Sequence, residues 1–166
     1  LVDFAKKNKI KVALNPGYNQ LSLPIAVLER ILSKIDVLIL NRKEASQLTG
    51  IAFQNEKETF QKIDKMTEGI AIMTKGGEGV VVSDGEYLYR AMGLGLKLVD
   101  GTGAGDSFGS GFVAGLMKKD NIVYAIQLAM ANSGRNITKW GAKEGLLEKG
   151  QKFEKVKVNK EKKAKR

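Results

Sequence analysis

The sequence contains neither cysteine nor histidine. Without cysteine, the chain has no disulfide, no thiolate metal site and no cysteine nucleophile. Without histidine, it lacks both the commonest general base and the commonest zinc ligand. Any acid–base chemistry must therefore be done by Asp, Glu, Lys or Tyr side chains. The absence of cysteine also fits a cytoplasmic protein, which is the location we expect.

Long apolar runs are also missing. No segment approaches the ~18 consecutive apolar residues of a membrane span, so we expect no membrane partner. The first residues lack the apolar centre of a signal peptide, and they begin with Leu1 rather than Met. The pattern of these first residues is typical of the end of a surface helix. We therefore expect a chain that is truncated at its N-terminus. The 166 residues suit a single domain with a moderate core.

The net charge of +10 is unevenly distributed. Residues 151–166 hold eight basic and two acidic residues, which leaves +4 for residues 1–150. We predict that 1–150 form one domain and that 151–166 form a basic, disordered tail. A solvated tail is favoured over a nucleic-acid partner, although RNA binding through these lysines is the alternative.

Hydrophobic patterning predicts strands that alternate with helices. Predicted strands lie at 10–14, 36–40, 69–74, 79–82 and 87–89. Predicted helices lie at 1–8, 24–34, 41–50, 54–66, 105–119 and 121–137, and residues 15–19 are predicted to form a loop. Four residues between the last two strands predict a hairpin. This alternation indicates an α/β fold with βαβ units and a parallel sheet.

The most informative segment is Asp100–Phe108, in which three glycines stand at alternate positions before a helical pattern. Glycine lets the backbone approach a ligand closely, and the N-terminus of a helix favours phosphate. A Walker loop would need a lysine before Ser107, and a dinucleotide fingerprint would need a third glycine where Asp106 stands. Both of these phosphate motifs therefore fail at a defining position.

The string Asp-x-x-Gly-Ala-Gly-Asp-x-Phe resembles the C-terminal signature of the ribokinase, or PfkB, carbohydrate kinase family. The resemblance implies that the backbone of Gly103, Ala104 and Gly105 forms an anion hole for the transferred phosphoryl group. It also implies that Asp106 takes the proton of the substrate hydroxyl as the catalytic base. An ordinary glycine turn with a capping Asp is the alternative reading of the segment.

Further segments match the family in the same order along the chain. Asn41 and Glu44 resemble its Asn-x-x-Glu motif, which implies that Asn41 lies near the phosphates and that Glu44 binds Mg²⁺ through water. A plain helix start explains this pair about as well. The other implied nucleotide-binding residues are Thr74, Gly76, Gly79 and Asn132, and an ordinary β-turn is the alternative for 74–79.

The resemblance also implies a monovalent-cation site, K⁺ being the candidate ion, made mostly of backbone carbonyls. Its residues would be Asp100, Thr102, Asn136, Lys139 and Gly141.

As a whole, the resemblance implies the C-terminal portion of a ribokinase-like three-layer α/β/α sandwich, without the N-terminal half and its β-lid. The implied activity is transfer of the γ-phosphate of MgATP to a sugar hydroxyl. A nucleoside kinase of the same family and a non-catalytic ATP-binding module are the alternatives. We expect a homodimer for the complete protein and no activity for residues 1–166 alone. The resemblance implies that the residues that determine specificity for the acceptor lie in that N-terminal half.

Overall fold

The computed structural model describes residues 1–163. Its helices are α1 (Val2–Lys7), α2 (Tyr18–Leu21), α3 (Ile25–Leu32), α4 (Arg42–Thr49), α5 (Glu56–Met66), α6 (Ala104–Lys119) and α7 (Ile122–Asn136). Its strands are β1 (Ala13–Leu14), β2 (Val37–Asn41), β3 (Ile70–Thr74), β4 (Val80–Ser83), β5 (Tyr87–Ala91) and β6 (Val158–Lys162). A 3₁₀ turn spans Gly76–Glu78.

The strands form one six-stranded sheet in the order β1-β2-β3-β4-β5-β6. The first three strands run parallel, and the register pairs Val37 with Ile70 and Asn41 with Thr74. Only residues 84–86 separate β4 from β5, a connection too short for parallel neighbours, so this pair is an antiparallel hairpin. The predicted parallel units and the predicted hairpin are both confirmed.

Within this sheet, the sequence determines where β2 ends and α4 begins. The first four residues of β2 are buried, as expected for a parallel strand covered on both faces. Asn41 then caps α4, and Gly50 ends the helix in the left-handed conformation. The side chain at position 41 is therefore held at the carboxyl end of a buried strand.

The contacts within the chain divide it into two compact units. Unit 1 contains residues 1–75, 81–88 and the described residues from Lys160 onward. Unit 2 contains residues 76–80 and 89–159. The core of unit 1 lies around β2 and β3, and its fully buried side chains include Leu38, Leu40, Ile63 and Met73.

Unit 2 is built on the pairing of α6 with α7. Gly111 and Gly115 of α6 face Ala129 and Ala125 of α7 so closely that a Cβ at either glycine would lie within 3 Å of an alanine Cα. This contact excludes larger side chains from the α6 face, since interiors are packed without spare volume. The buried ring of Phe112 fills the core on the same helix.

The predicted disorder of the tail is wrong for residues 158–162, which form strand β6. Composition suggested disorder, but β6 is hydrogen-bonded to β5 in the sheet, and residues far away in the sequence bind Lys163, which directly follows β6. The Lys163 ammonium pairs with Asp64, and the Lys163 N–H donates to the Glu86 carbonyl (2.9 Å). Residues 164–166 of the predicted tail lie outside the described residues, and the limits 1–150 and 151–166 stay a prediction.

Two smaller differences concern the first thirty residues. The predicted strand at 10–14 is reduced to Ala13–Leu14, and the end of the loop predicted at 15–19 is already part of the short helix α2. That helix buries Leu21 in the core of unit 1, a tertiary gain that turn-forming residues alone do not reveal. None of the helices among the described residues combines the length and apolar character that crossing a membrane requires.

Candidate functional site

In unit 2, the glycine loop is held by the side chain of Asp100. Its Oδ1 accepts the Thr102 N–H at 2.9 Å, and its Oδ2 accepts the Gly141 N–H at 2.9 Å. These two N–H groups, Thr102 first, lower the pKa of the Asp100 carboxyl below its usual value. A single carboxylate therefore joins residues 100–103 to the segment after α7.

Gly103 turns the chain into α6. Its φ is +78°, and a Cβ on it would lie 2.6 Å from the Ala142 carbonyl oxygen. Both the left-handed backbone and the close approach of residue 142 require glycine here. The second glycine of the motif thus has a structural reason to be present.

Beyond Gly103, the first turn of α6 presents unused donors. The Ala104 N–H donates to the Gly101 carbonyl at 3.2 Å, and the Ser107 N–H donates to the Gly103 carbonyl at 2.8 Å. Between them, the N–H groups of Gly105 and Asp106 donate to no acceptor within residues 1–163. A Cβ at Gly105 would meet open space. Two free donors at a helix N-terminus can bind an anion.

The carboxylate of Asp106 belongs to the same turn. It is exposed, and no hydrogen bond or ion pair within the described part of the chain engages it. An unpaired carboxylate beside backbone donors can accept a proton from a hydroxyl that attacks a bound phosphoryl group. The structure thus brings Gly103, Ala104, Gly105 and Asp106 together in one turn, as the motif predicts.

Asn132 faces α6 from α7, and both ends of its side-chain amide are hydrogen-bonded within the chain. Its Nδ2 donates to the Ser107 carbonyl at 2.8 Å, and its Oδ1 accepts the Leu147 N–H at 2.8 Å. The Ser133 hydroxyl next to it donates to the Ala104 carbonyl at 3.0 Å. In this structure the Asn132 amide therefore links α7 to the first turn of α6 and to residue 147.

Asn136, at the end of α7, is fully buried. Its Nδ2 donates to the Gly141 and Glu144 carbonyls at 3.2 and 3.3 Å. Its Oδ1 is buried and accepts no hydrogen bond within the described residues. A buried oxygen without a hydrogen-bond partner can coordinate a monovalent cation. Lys139, another residue of the predicted cation site, has an exposed side chain.

In unit 1, Asn41 and Glu44 form a capping box. The Glu44 N–H donates to Asn41 Oδ1 at 2.9 Å, and the Asn41 N–H donates to Glu44 Oε2 at 2.8 Å. Thr74 lies beside Asn41, since the β2–β3 register pairs the two residues. The interpretation of Asn-x-x-Glu as a helix start therefore describes the local geometry. The Oε1 atom of Glu44 takes no part in the capping box.

The predicted turn residues Gly76 and Gly79 belong to unit 2. Gly76 begins the 3₁₀ turn with φ +57°, and Gly79 has φ +104°. A Cβ at Gly79 would overlap the Ala91 carbonyl oxygen, so this glycine is required by the turn itself. Packing alone thus accounts for Gly79, whatever ligand the turn borders.

Metal ligation by side chains alone has little support. Within residues 1–163, no group of three or more His, Cys, Asp or Glu side chains is placed to hold an ion. Mg²⁺, however, keeps several waters and needs only one or two carboxylates when phosphates complete its shell. The half-buried Glu44 carboxylate with a spare oxygen fits that mode of binding.

Sequence reasoning missed two features of these sites. The first is that the Asp106 N–H is a free donor beside the Asp106 carboxylate. Asp106 is the third residue of α6, and the N–H groups of the first turn of a helix have no acceptor within that helix. The second feature is Glu56, whose pairing with distant cations has no local sequence signal.

Comparison with known proteins decides the family. The family model described as pfkB family carbohydrate kinase matches residues 1–149. The chain belongs to the pfkB family of carbohydrate kinases. The prediction made from the glycine motif is confirmed at this level.

Individual relatives agree with this assignment. The chain is 34% identical to a ribokinase of Haemophilus influenzae over 146 residues, which cover 86% of the chain and 46% of that protein. It is 26% identical to a cytidine kinase of Thermococcus kodakarensis over 144 residues, 85% of the chain and 51% of the relative. The chain therefore spans about half the length of the curated relatives it matches.

Solved structures of this family have the same fold. A crystal structure described as a putative ribokinase II from E. coli, in complex with ATP and Mg²⁺, matches with a TM-score of 0.72 at 19% identity. The match covers 88% of this chain and 48% of that chain. The predicted ribokinase-like α/β fold is confirmed, in a form that corresponds to about half of the whole structure.

Proposed function

We propose that this chain is the nucleotide-binding part of a kinase that transfers the γ-phosphate of ATP to a sugar hydroxyl. One observation supports this most strongly: the free N–H groups of Gly105 and Asp106 flank an unpaired carboxylate at the start of α6. The turn offers charge stabilisation and a proton acceptor together, the two things that phosphoryl transfer needs. ATP and a sugar come from the family and its relatives, and they are proposals for the whole protein.

In this proposal, each part of the turn has one task. Asp106 accepts the proton of the attacking hydroxyl while the oxygen of that hydroxyl bonds to the γ-phosphorus and the bond to ADP breaks. The backbone of residues 103–105, with the Asp106 N–H, stabilises negative charge on the phosphoryl oxygens. Because Ala104 already donates to Gly101, the donors at 105 and 106 contribute most.

We propose that Glu44 binds Mg²⁺ through water by its free Oε1, and that Asn41 lies near the phosphates. The ion would neutralise phosphate charge. Thr74, Gly76 and Gly79 stay proposals for the nucleotide border. For Asn132 we propose a role in holding the start of α6, since both ends of its amide are engaged in the fold.

The test compares Asp106→Asn with Asp120→Asn in the complete gene product that contains this chain. Asp120 is exposed at the other end of α6 with φ +47°, a conformation that Asn adopts readily. We expect Asp106→Asn to lower kcat by about 10²–10⁴-fold, as for loss of a general base, with nucleotide affinity kept. Asp120→Asn removes the same charge and should keep full activity. Full activity of Asp106→Asn would refute the assignment of the base.

The acceptor is open between two classes. Relatives include a ribokinase and a cytidine kinase, so a nucleoside hydroxyl is the second candidate acceptor. A panel of sugars and nucleosides with labelled ATP separates the two. Nucleotide binding by the complete protein without transfer to any acceptor would favour a non-catalytic ATP-binding module. Residues 1–166 alone should show no transfer.

The remaining predictions concern the surroundings of this kinase. A monovalent cation such as K⁺ is proposed near Asp100, Thr102 and Asn136, on the strength of the unpartnered Asn136 Oδ1. Replacing K⁺ by a bulky organic cation should then weaken nucleotide binding. A homodimer and a cytoplasmic location are proposals that sedimentation and cell fractionation test.

A further inference from the structure

Glu56, the first residue of α5, lies between two cations in unit 1. Its Oε1 lies 3.0 Å from Lys75 Nζ, and its Oε2 lies 3.6 Å from Arg42 Nη1. The three side chains are only 20–32% exposed. Ion pairs that are this sheltered from water interact more strongly than exposed ones, because the surroundings screen them less.

The Arg42 side chain is fixed from a second direction. Its guanidinium carbon lies 4.1 Å from the centroid of the Phe53 ring, within the range of a cation–π contact. The guanidinium is thus held between a ring and a carboxylate. Both cations face partners of this chain, which makes them poor candidates for direct phosphate contact and good candidates for a brace.

The two cations stand next to residues with proposed roles. Arg42 follows Asn41 and is the first residue of α4, whose capping box contains Glu44. Lys75 follows Thr74 at the end of β3, and the register places Asn41 beside Thr74. A single carboxylate on α5 therefore connects the ends of two neighbouring parallel strands.

We propose that Glu56 is a positioning residue that fixes the Asn41–Glu44 turn and the end of β3 for nucleotide and Mg²⁺. This role rests on the proposed function, since it acts on residues that would bind MgATP. Without the carboxylate, the Arg42 and Lys75 cations repel each other across the strand ends. The Asn41–Glu44 turn then loses its brace, while the core packing of α5 by Phe60 and Ile63 is untouched.

The experiment compares Glu56→Gln with Glu58→Gln in the complete protein. Glu58 is an exposed residue on the same first turn of α5. The substitution Glu58→Gln therefore removes the same charge but leaves the ion pairs of Glu56 in place. The readout is calorimetric binding of a non-hydrolysable ATP analogue with Mg²⁺. We expect Glu56→Gln to weaken binding about five- to tenfold and Glu58→Gln to leave it unchanged. Glu56→Asp, which keeps the charge with a shorter reach, should recover part of the loss.

A second readout does not depend on the nucleotide. Amide hydrogen exchange in peptides covering 41–46 and 70–75 should speed up in Glu56→Gln, while peptides of α6 and α7 stay unchanged. Faster exchange throughout unit 1 together with unchanged affinity would mean a purely structural role and would overturn the proposal.

The two proposals fail in distinguishable ways. If the unaltered protein binds no nucleotide, the proposed function fails, and the role of Glu56 fails with it. If the unaltered protein binds nucleotide and Glu56→Gln binds equally well, the proposed function stands and the positioning role is refuted.

Discussion

The candidate ligand-binding groups of unit 1 and unit 2 differ in how far other groups of the chain already bind them. In unit 1, the candidate groups are side chains at strand ends, and they largely satisfy one another through the Asn41–Glu44 capping box and the Glu56 ion pairs. In unit 2, the candidate groups are backbone N–H groups of a glycine turn, and those of Gly105 and Asp106 have no partner within the described residues. Unit 1 holds its groups by mutual contacts, whereas unit 2 keeps donors open.

This difference shows how strongly each motif indicates function. A capping box is fully explained by starting a helix, so its residues indicate a ligand only through the family to which the chain belongs. Open donors also occur at the start of any helix, and an acidic residue in the first turn suits the helix dipole. In unit 2, however, no group within the described residues engages the Gly105 and Asp106 N–H groups, so they are available to a ligand. The evidence for phosphate binding is therefore stronger in unit 2 than in unit 1.

The largest expected effect tests how unit 2 is assembled. Gly115→Leu forces a side chain into the contact with Ala125, where even a Cβ would lie 2.6 Å from the alanine Cα. Such overpacking costs about 3 kcal/mol of unfolding free energy. Ala114→Leu adds the same side chain at an exposed neighbour and should cost almost nothing. Chemical denaturation followed by far-ultraviolet circular dichroism, which reports the loss of the helices, measures both stabilities. Equal stabilities would show that the helix contact is not tight.

The second effect concerns the open donors. Gly105→Ala puts a methyl group into the empty space beside them, so nucleotide affinity should fall at least about tenfold, or 1.4 kcal/mol. Stability should hold or rise slightly, because alanine suits a helix better than glycine. Calorimetric binding and denaturation of one sample measure both. Unchanged affinity would place the phosphate elsewhere.

The third effect separates helix capping from metal binding in unit 1. Glu44→Gln keeps a side-chain oxygen that can close the capping box, so stability should stay within about 0.5 kcal/mol. The Mg²⁺ concentration for half-maximal nucleotide binding should rise severalfold, since the carboxylate charge is lost. Asn41→Ala should instead lower the unfolding free energy by about 1 kcal/mol, because the helix loses its N-terminal cap. A Mg²⁺ dependence unaffected by Glu44→Gln would leave that residue a capping role alone.

The smallest effect is a pH dependence in unit 2. The N–H groups of Thr102 and Gly141 lower the folded-state pKa of Asp100 below the ordinary 3.8. Its contribution to stability is therefore complete above the unfolded-state pKa and is lost as the pH falls through the folded-state pKa. Below pH 4, the unfolding free energy should fall more steeply in the unaltered protein than in Asp100→Asn, as measured by chemical denaturation followed by far-ultraviolet circular dichroism. Parallel profiles would contradict this.

Much of the fold follows from local pattern. The buried run of β2, the following cap and the glycine turn before α6 all have signals within a few residues. The observed α6 therefore begins only one residue before its predicted start, and α7 is only one residue shorter at each end than predicted. Short-range signals determine short-range structure.

The misses share one physical cause. Strand β6 pairs with β5 and is followed by Lys163, which binds Asp64 and the Glu86 carbonyl, and Glu56 pairs with Arg42 and Lys75. These partners are distant in sequence, and no periodicity marks them. In unit 2, the motif predicted Asp106 and its loop, but the hydrogen bond from the Ala104 N–H to the Gly101 carbonyl has no signal in the sequence.

Amide NMR of the protein during titration with a non-hydrolysable ATP analogue and Mg²⁺ tests most directly the proposal that the first turn of α6 binds phosphate. Phosphate binding should move the Gly105 and Asp106 amide protons strongly downfield, as expected when a free donor gains an anionic acceptor. The amides of Thr102 and Ser107 should move little, because Asp100 and the Gly103 carbonyl already accept their protons. Saturated binding without a shift at Gly105 and Asp106 would contradict the assignment of the turn as the phosphate site.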